Sequence, residues 1–181
     1  MSFFKSSGYD ALKLFLTQFA LSIFGMVTVS ATLNNSYLML GAGVLGVLLY
    51  VLVVYDNMWN VGGSDRIKVD AKRAEKDFSK PVLIALTANI PNFVFSAVTL
   101  ISYFIGDKAD GVYLISNAIL RFLQAFYMGF FKNIVINGVD LNQNPFTYTV
   151  TPFFSVFIIF ITYVLGYKGI ALLPAKKNKK Q

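Results

Sequence analysis

Residues 37–55 read YLMLGAGVLGVLLYVLVVY, an apolar run without one charged side chain. Wound as a helix it is roughly 28 Å long, close to the ~30 Å hydrocarbon thickness of a bilayer. Backbone N–H and C=O groups in hydrocarbon must bond within their own segment, so this run dictates a transmembrane helix. Upstream, Leu14 to Leu33 makes a similar run, and the polar break Asn34-Asn35-Ser36 joins the two into a helical hairpin. Downstream, residues 82–105, 112–136 and 152–173 are apolar as well. The alternating apolar and polar ten-residue segments of a membrane barrel do not appear. The sequence therefore describes an all-α integral membrane protein: one membrane domain over 1–181, a bundle of four to five hydrophobic helices with one charged cytoplasmic loop helix.

Composition agrees, since 56% of the 181 residues are hydrophobic and 14% charged, more apolar than one soluble core can hide. Lys5 and Lys13 ahead of an apolar stretch, with Val29-Ser30-Ala31 behind, would also suit a secretory leader. Asp10 is unusual in such a leader, and the run is long enough to span. The chain has no Cys and no His, which removes disulfides, thiol nucleophiles, thiolate and imidazole metal sites and the commonest general base. Neither a cofactor nor a metal is expected. Of the net charge of +7, Lys176, Lys177, Lys179 and Lys180 supply four at the C-terminus. A lysine tail after a hydrophobic segment points to anionic lipid head groups rather than nucleic acid.

Between the second and third runs, residues 56–80 carry Arg66, Lys68, Lys72, Arg73, Lys76 and Lys80 among Asp65, Asp70, Glu75 and Asp77. Ile67, Ala71, Ala74 and Phe78 recur at helical spacing and Arg73 stands four before Asp77, so a short amphipathic helix resting on the membrane surface is expected here. Asp65, Asp70 and Asp77 lack the spacing of a magnesium-binding phosphatidyltransferase motif, and the interspersed cations suit a salt-bridged, solvated helix.

Lys and Arg number six in 56–80 and five in 168–181, against none in 34–36, one in 106–111 and none in 137–151. The positive-inside bias places the N-terminus, the large loop and the tail in the cytoplasm, which five full crossings would not allow. The segment expected not to cross is 112–136, because Asn117, Arg121, Gln124 and Lys132 fall on one helical face, as in a re-entrant or interfacial helix. The rival is five crossings with an exported tail, or a fourth span that hides its polar stripe in the bundle.

Polar groups inside the runs are the first candidates for a site. Gln18, Ser22, Gly25 and Thr32 share a face of the first run, and Asn89, Asn92, Ser96 and Thr99 a face of the third. With Asn117, Arg121 and Gln124 they form a candidate polar cavity, against the plainer reading that such amides and hydroxyls glue helices together. Arg121 finds no carboxylate inside any run, so its acceptor would be an amide, a backbone carbonyl, a phosphate head group or a bound anion, unless it snorkels. Pro91 should kink the third run by depriving the Thr87 carbonyl of its donor. Gly41, Gly43 and Gly46 permit close helix contact, within the chain or with a partner. Tyr55-Asp56-Asn57-Met58-Trp59-Asn60-Val61-Gly62-Gly63-Ser64-Asp65-Arg66 is the most distinctive stretch, with the only Trp; Trp59, Gly62, Gly63, Asp65 and Arg66 make a candidate docking or interfacial loop. Its Gly pair lacks the Lys and the spacing of a phosphate-binding loop.

This junction, and Gly166-Tyr167-Lys168-Gly169 ahead of Leu172-Leu173-Pro174 and the lysine tail, resemble small uncharacterised multi-span proteins of Gram-positive bacteria; weaker likeness lies at Asn89-Ile90-Pro91 and around Arg121. The resemblance implies the bacterial cytoplasmic membrane as location, and no activity. Three functions are open on these residues. The first is a non-enzymatic accessory subunit, docking on a membrane protein partner or a second copy through the Gly-rich face and the charged loop. The second is a small-solute binding or transport component that uses the polar faces. The third is a lipid-active enzyme working with the loop carboxylates.

Overall fold

A computed structural model describes residues 3–105 and 111–172, with side chains from residue 7 onward. The lysine tail and most of the expected turn at 106–111 lie outside them. The described chain is helical throughout, apart from connections and one two-stranded ribbon. Helix α1 (Phe3–Ala31) and α2 (Ser36–Asp70) form the expected hairpin, and Asn35 caps α2 by accepting from the Tyr37 and Leu38 amides. The first correction lies at the far end of α2. This helix does not stop at Tyr55 but continues for 35 residues in all, roughly 52 Å, through the stretch expected to be loop. It ends where Lys72 takes a left-handed backbone (φ 55°), and Ala71 to Phe78 carries no helix, so the amphipathic loop helix expected over 67–78 does not form. The expected Arg73–Asp77 pair is also absent: Asp77 instead accepts from the Ser79 amide at 2.8 Å.

The third run is two helices, α3 (Ser79–Ala88) and α4 (Ile90–Ile105), bent by 61° at Asn89. The break falls within the turn that precedes Pro91, between the Thr87 carbonyl and the proline ring. Asn89 Nδ2 donates to the Ala85 carbonyl at 2.9 Å beside its own backbone N–H, and Pro91 becomes the second residue of a new helix, where its missing N–H costs nothing.

The fourth run is broken too, into α5 (Gly111–Leu123), a 3-10 turn (Ala125–Tyr127) and α6 (Met128–Phe131), with a 72° bend. Lys132 thus belongs to a different limb from Asn117 and Gln124, and the single polar face expected over 112–136 does not exist. Residues beyond it leave the helix and pair as β1 (Val135–Ile136) and β2 (Val139–Asp140) across the positive-φ turn Asn137-Gly138. Helix α7 (Pro145–Lys168) begins seven residues before the expected run, capped by Asn144, and ends at Gly169, whose φ of 72° lets the Ile170 amide bond back to the Leu165 carbonyl.

Three helices, α1, α2 and α7, are long and apolar enough to cross a membrane, and five segments are if each bent pair counts as one. Neighbouring helices fix the course of α5–α6. Tyr113 lies beside Tyr103, which in turn meets Phe146 at the start of α7. Leu123, ten residues on, accepts from Ser22, deep in α1. The return limb then climbs beside α2, with Phe126 against Gly46, Gly129 against Gly43, and Asn133 bonded to Ser36. Both limbs begin and end at the same end of the bundle, and the tip at Gln124 lies between Ser22 of α1 and the first turn of α7.

Gly25, Gly43 and Gly46 are what admit this hairpin, since a Cβ on any of them would meet the backbone of residues 125–130. The Gly-rich face of α2 is therefore covered by the chain itself and cannot serve a partner, apart from Gly41, which meets nothing. Around the tip the core is aromatic: Tyr50 stacks on Phe126 with centroids 4.7 Å apart, and Val54, Met58, Ile84, Ile159 and Tyr163 continue it toward the other end.

Candidate functional site

The six polar candidates are all at least partly buried, but they meet in separate small groups. Gln18 donates to the Tyr50 hydroxyl at 3.3 Å. Asn92 donates to Asn89 Oδ1 at 3.1 Å, across the α3–α4 break. Arg121 Nε donates to Asn117 Oδ1 at 3.2 Å, with its guanidinium 5.9 Å from the Tyr148 ring centroid. Arg121 sits in the last turn of α5, where the helix dipole favours a cation, and pairs with no carboxylate among the described residues. Four cavities among the described residues are lined by other side chains.

Gln124 has the most specific task. Pro152 lies inside α7 and offers no N–H to the carbonyl four residues earlier, that of Tyr148. Gln124 Nε2, at the hairpin tip, donates to that same carbonyl at 2.9 Å. The Ser22 hydroxyl likewise lies within hydrogen-bond distance of the Leu123 carbonyl that the end of α5 leaves free, and shares its one proton between that oxygen and the Gln18 carbonyl of its own helix. In an apolar surrounding each such group is costly if unmet, so these residues hold the tip by completing interrupted backbone ladders. The oxygens Gln18 Oε1, Asn92 Oδ1 and Gln124 Oε1 are buried and accept from nothing among the described residues.

The second candidate set lies at the opposite end and is brought together tightly. Gly62 and Gly166 face each other across the α2–α7 crossing: a Cβ on Gly62 would meet the Tyr163 carbonyl oxygen, and one on Gly166 the Trp59 carbonyl oxygen. The Arg66 guanidinium lies over Gly169, Trp59 Nε1 donates to the Ile170 carbonyl at 2.9 Å, and the Leu172 amide donates to the Tyr55 hydroxyl at 2.8 Å. The two distinctive motifs, a hundred residues apart in sequence, are thus two halves of one contact.

One turn further, Asp65 accepts from Lys80 at 2.6 Å, Lys68 at 3.2 Å and the Tyr163 hydroxyl at 3.1 Å, pinning α2, α3 and α7 together. Asp65 stands ten residues, roughly 15 Å, beyond the apolar part of α2. Burial pushes its carboxyl up, but the Lys80 hydrogen bond and charge, aided by Lys68 and Tyr163, outweigh that and hold it below the ordinary carboxylate value. Asp70 pairs with Arg66 at 3.5 Å. The three loop aspartates are therefore engaged separately, and no acidic cluster able to hold a metal occurs among the described residues. Arg66, Ile67 and Asp70 are exposed on these last turns of α2, with Ser64 and Lys68.

The β-ribbon and the bond from Gln124 to the Tyr148 carbonyl, left without a donor by Pro152, went unread in the sequence. Asn137-Gly138 between short apolar pairs is a recognisable hairpin signal; the partnership of Gln124 with Pro152 has no local signal. Comparison with family profiles, characterised proteins and solved structures finds no match for this chain.

Proposed function

We propose that the chain is a multi-pass protein of the bacterial cytoplasmic membrane, acting as a non-enzymatic accessory subunit that receives a membrane protein partner at its charged end. In this reading α1, α2, the bent pair α3–α4 and α7 cross, α5–α6 enters and leaves on the outer side, and both termini are cytoplasmic, in line with the positive-inside bias. The observation that carries the docking role is the extension of α2. Its polar last turns stand above the bilayer as a braced rod, locked by Gly62 against α7 and by Asp65 to Lys80 and Tyr163, and so present Arg66, Ile67 and Asp70 in fixed geometry. A preorganised polar and apolar patch binds with little ordering cost.

The test is extraction in a mild detergent and native mass spectrometry of what accompanies the protein. A protein partner is expected, and Arg66→Glu should lower its retention about tenfold through charge reversal at a fixed contact, with the chain itself still folded. The buried, unpaired amide oxygens of Gln18, Asn92 and Gln124 favour a second reading, a small-solute component. A lone protein carrying a small molecule, lost on Asn89→Ala or Arg121→Ala but kept on Arg66→Glu, would replace the first reading with the second.

A further inference from the structure

Between the N-terminal part of α1, the polar turns of α2 and the start of α3 lies a cavity of about 360 Å³, in which only Val61 of the lining residues is apolar. The volume lies within the roughly 300–1,000 Å³ typical of small-ligand sites. Five of its side chains are charged, and three of these already satisfy one another. Asp65 accepts from Lys80 and Lys68, so its carboxylate and both ammoniums are engaged.

Asp10 and Lys13 of α1 are the two that remain. Neither forms an ion pair or a hydrogen bond among the described residues, although they stand three apart on the helix, where such side chains can meet. Asp10 is partly buried, and that burial pushes its carboxyl above the ordinary value; Lys80, Lys13 and Lys68 draw it down, while Asp65 adds to the rise. Its charge is thus short of a close cation. The uncharged wall is open in the same sense. Asn57 and Asn60 spend their amide nitrogens on the Val53 and Asp56 carbonyls, and their Oδ1 atoms accept from nothing among the described residues.

Depth gives these groups an order. The apolar run of α1 begins at Leu14, so Lys13 stands where the helix leaves hydrocarbon, and Asp10 lies three residues, roughly 4.5 Å, farther out. An ammonium at the hydrocarbon edge with a carboxylate just beyond it mirrors a head group whose phosphate adjoins the glycerol and whose amine lies beyond the phosphate. A head group with phosphate alone would meet Lys13 and leave Asp10 without a cation. A trimethylammonium could approach Asp10 but has no proton to donate to it or to the asparagine oxygens.

We propose that this cavity holds an aminoethyl phosphate group, the phosphate on Lys13 and the ammonium among Asp10, Asn57 Oδ1 and Asn60 Oδ1. Phosphatidylethanolamine and free phosphoethanolamine both carry that chemistry. Bound there, the group ties α1 to α2 at the foot of the charged end. The site rests on the membrane reading above and adds a ligand to it.

The full chain in a mild detergent, supplied with phosphatidylethanolamine, phosphatidylglycerol or phosphatidylcholine of one acyl composition, is read by native mass spectrometry for bound lipid. Phosphatidylethanolamine should be retained about tenfold more than either of the others, the worth of one charge-assisted hydrogen bond. Asp10→Asn should remove that advantage without lowering phosphatidylglycerol, whereas Lys13→Gln should weaken all three lipids alike. Should Lys13→Gln fail to fold, the nearly isosteric Asp10→Asn still decides. Excess phosphoethanolamine separates the two sources: displacement of the lipid marks a soluble ligand, and no displacement marks the membrane lipid. Equal retention of the three lipids would overturn the proposal, as would a preference for phosphatidylethanolamine that survives Asp10→Asn. A chain that does not float with lipid vesicles refutes the membrane reading itself; one that floats and retains the three lipids equally refutes only this site.

Discussion

Gly166→Leu destabilises the protein by about 3 kcal/mol, the upper end of what overpacking costs, because the atoms in the way belong to the Trp59 backbone and cannot rotate aside. Helices α2 and α7 share the most extensive contact in the bundle, and that contact is set by how closely two backbones approach at Gly62 and Gly166. Small residues at such a crossing gain dispersion over a long seam, which is what holds helices together where water offers no hydrophobic drive. Forcing them apart by a methyl or more loosens Trp59 from Ile170 and Tyr163 from Asp65 as well. Gly41→Leu is the control: it lies on α2, the other helix of the crossing, a Cβ there meets nothing, and its effect should stay within about 0.5 kcal/mol. Unfolding in mixed micelles titrated with a denaturing detergent reads both. Equal effects from the two substitutions would show that the crossing is not as close as described.

The second large effect is expected at Gln124. Its replacement by leucine removes the donor to the Tyr148 carbonyl and leaves that oxygen buried and unmet, at a cost of about 1–3 kcal/mol. An ordinary interhelical hydrogen bond in a membrane protein is worth only about 0.6 kcal/mol, so the size of the effect tells whether the carbonyl is truly orphaned. Pro152 supplies the decisive cross-check. In a Pro152→Ala background residue 152 has an N–H of its own to offer Tyr148, and Gln124→Leu should then cost less than about 1 kcal/mol. Additive effects in this double-mutant cycle would mean that Gln124 and Pro152 are not linked through the carbonyl.

Where helices lie was largely written in the apolar runs, because hydrocarbon and backbone hydrogen bonding leave a long apolar segment one form to take. What hydropathy misjudged was where they end. The turns of α2 from Asp56 to Asp70 are polar, and polarity suggested a loop, yet helix formation depends on backbone propensity and on a neighbour to pack against, which α7 provides. The Gly pair, which lacked the pattern of a phosphate-binding loop, has its role at Gly62, a notch for α7. At Asn89 the proline rule pointed to the right place, since the break falls between the Thr87 carbonyl and Pro91.

The polar candidates were legible as buried and as sharing faces, and Asn92, Ser96 and Thr99 do lie buried on one side of α4. Their partners were not legible, because whether amides line a cavity or complete broken ladders depends on segments a hundred residues away. The pairing of the two distinctive motifs escaped for the same reason: each is local in sequence, while their meaning lies in the crossing.

The course of α5–α6 decides the topology, and the absence of native cysteine makes it directly measurable. Single cysteines at Gly111, Val135 and Arg73, in intact cells or oriented vesicles, are challenged with a thiol reagent that cannot cross the membrane. The re-entrant hairpin expects Gly111→Cys and Val135→Cys to react from the same, outer side and Arg73→Cys only after the membrane is opened. Reaction of positions 111 and 135 from opposite sides would mean that the segment between them crosses, and would contradict the re-entrant course.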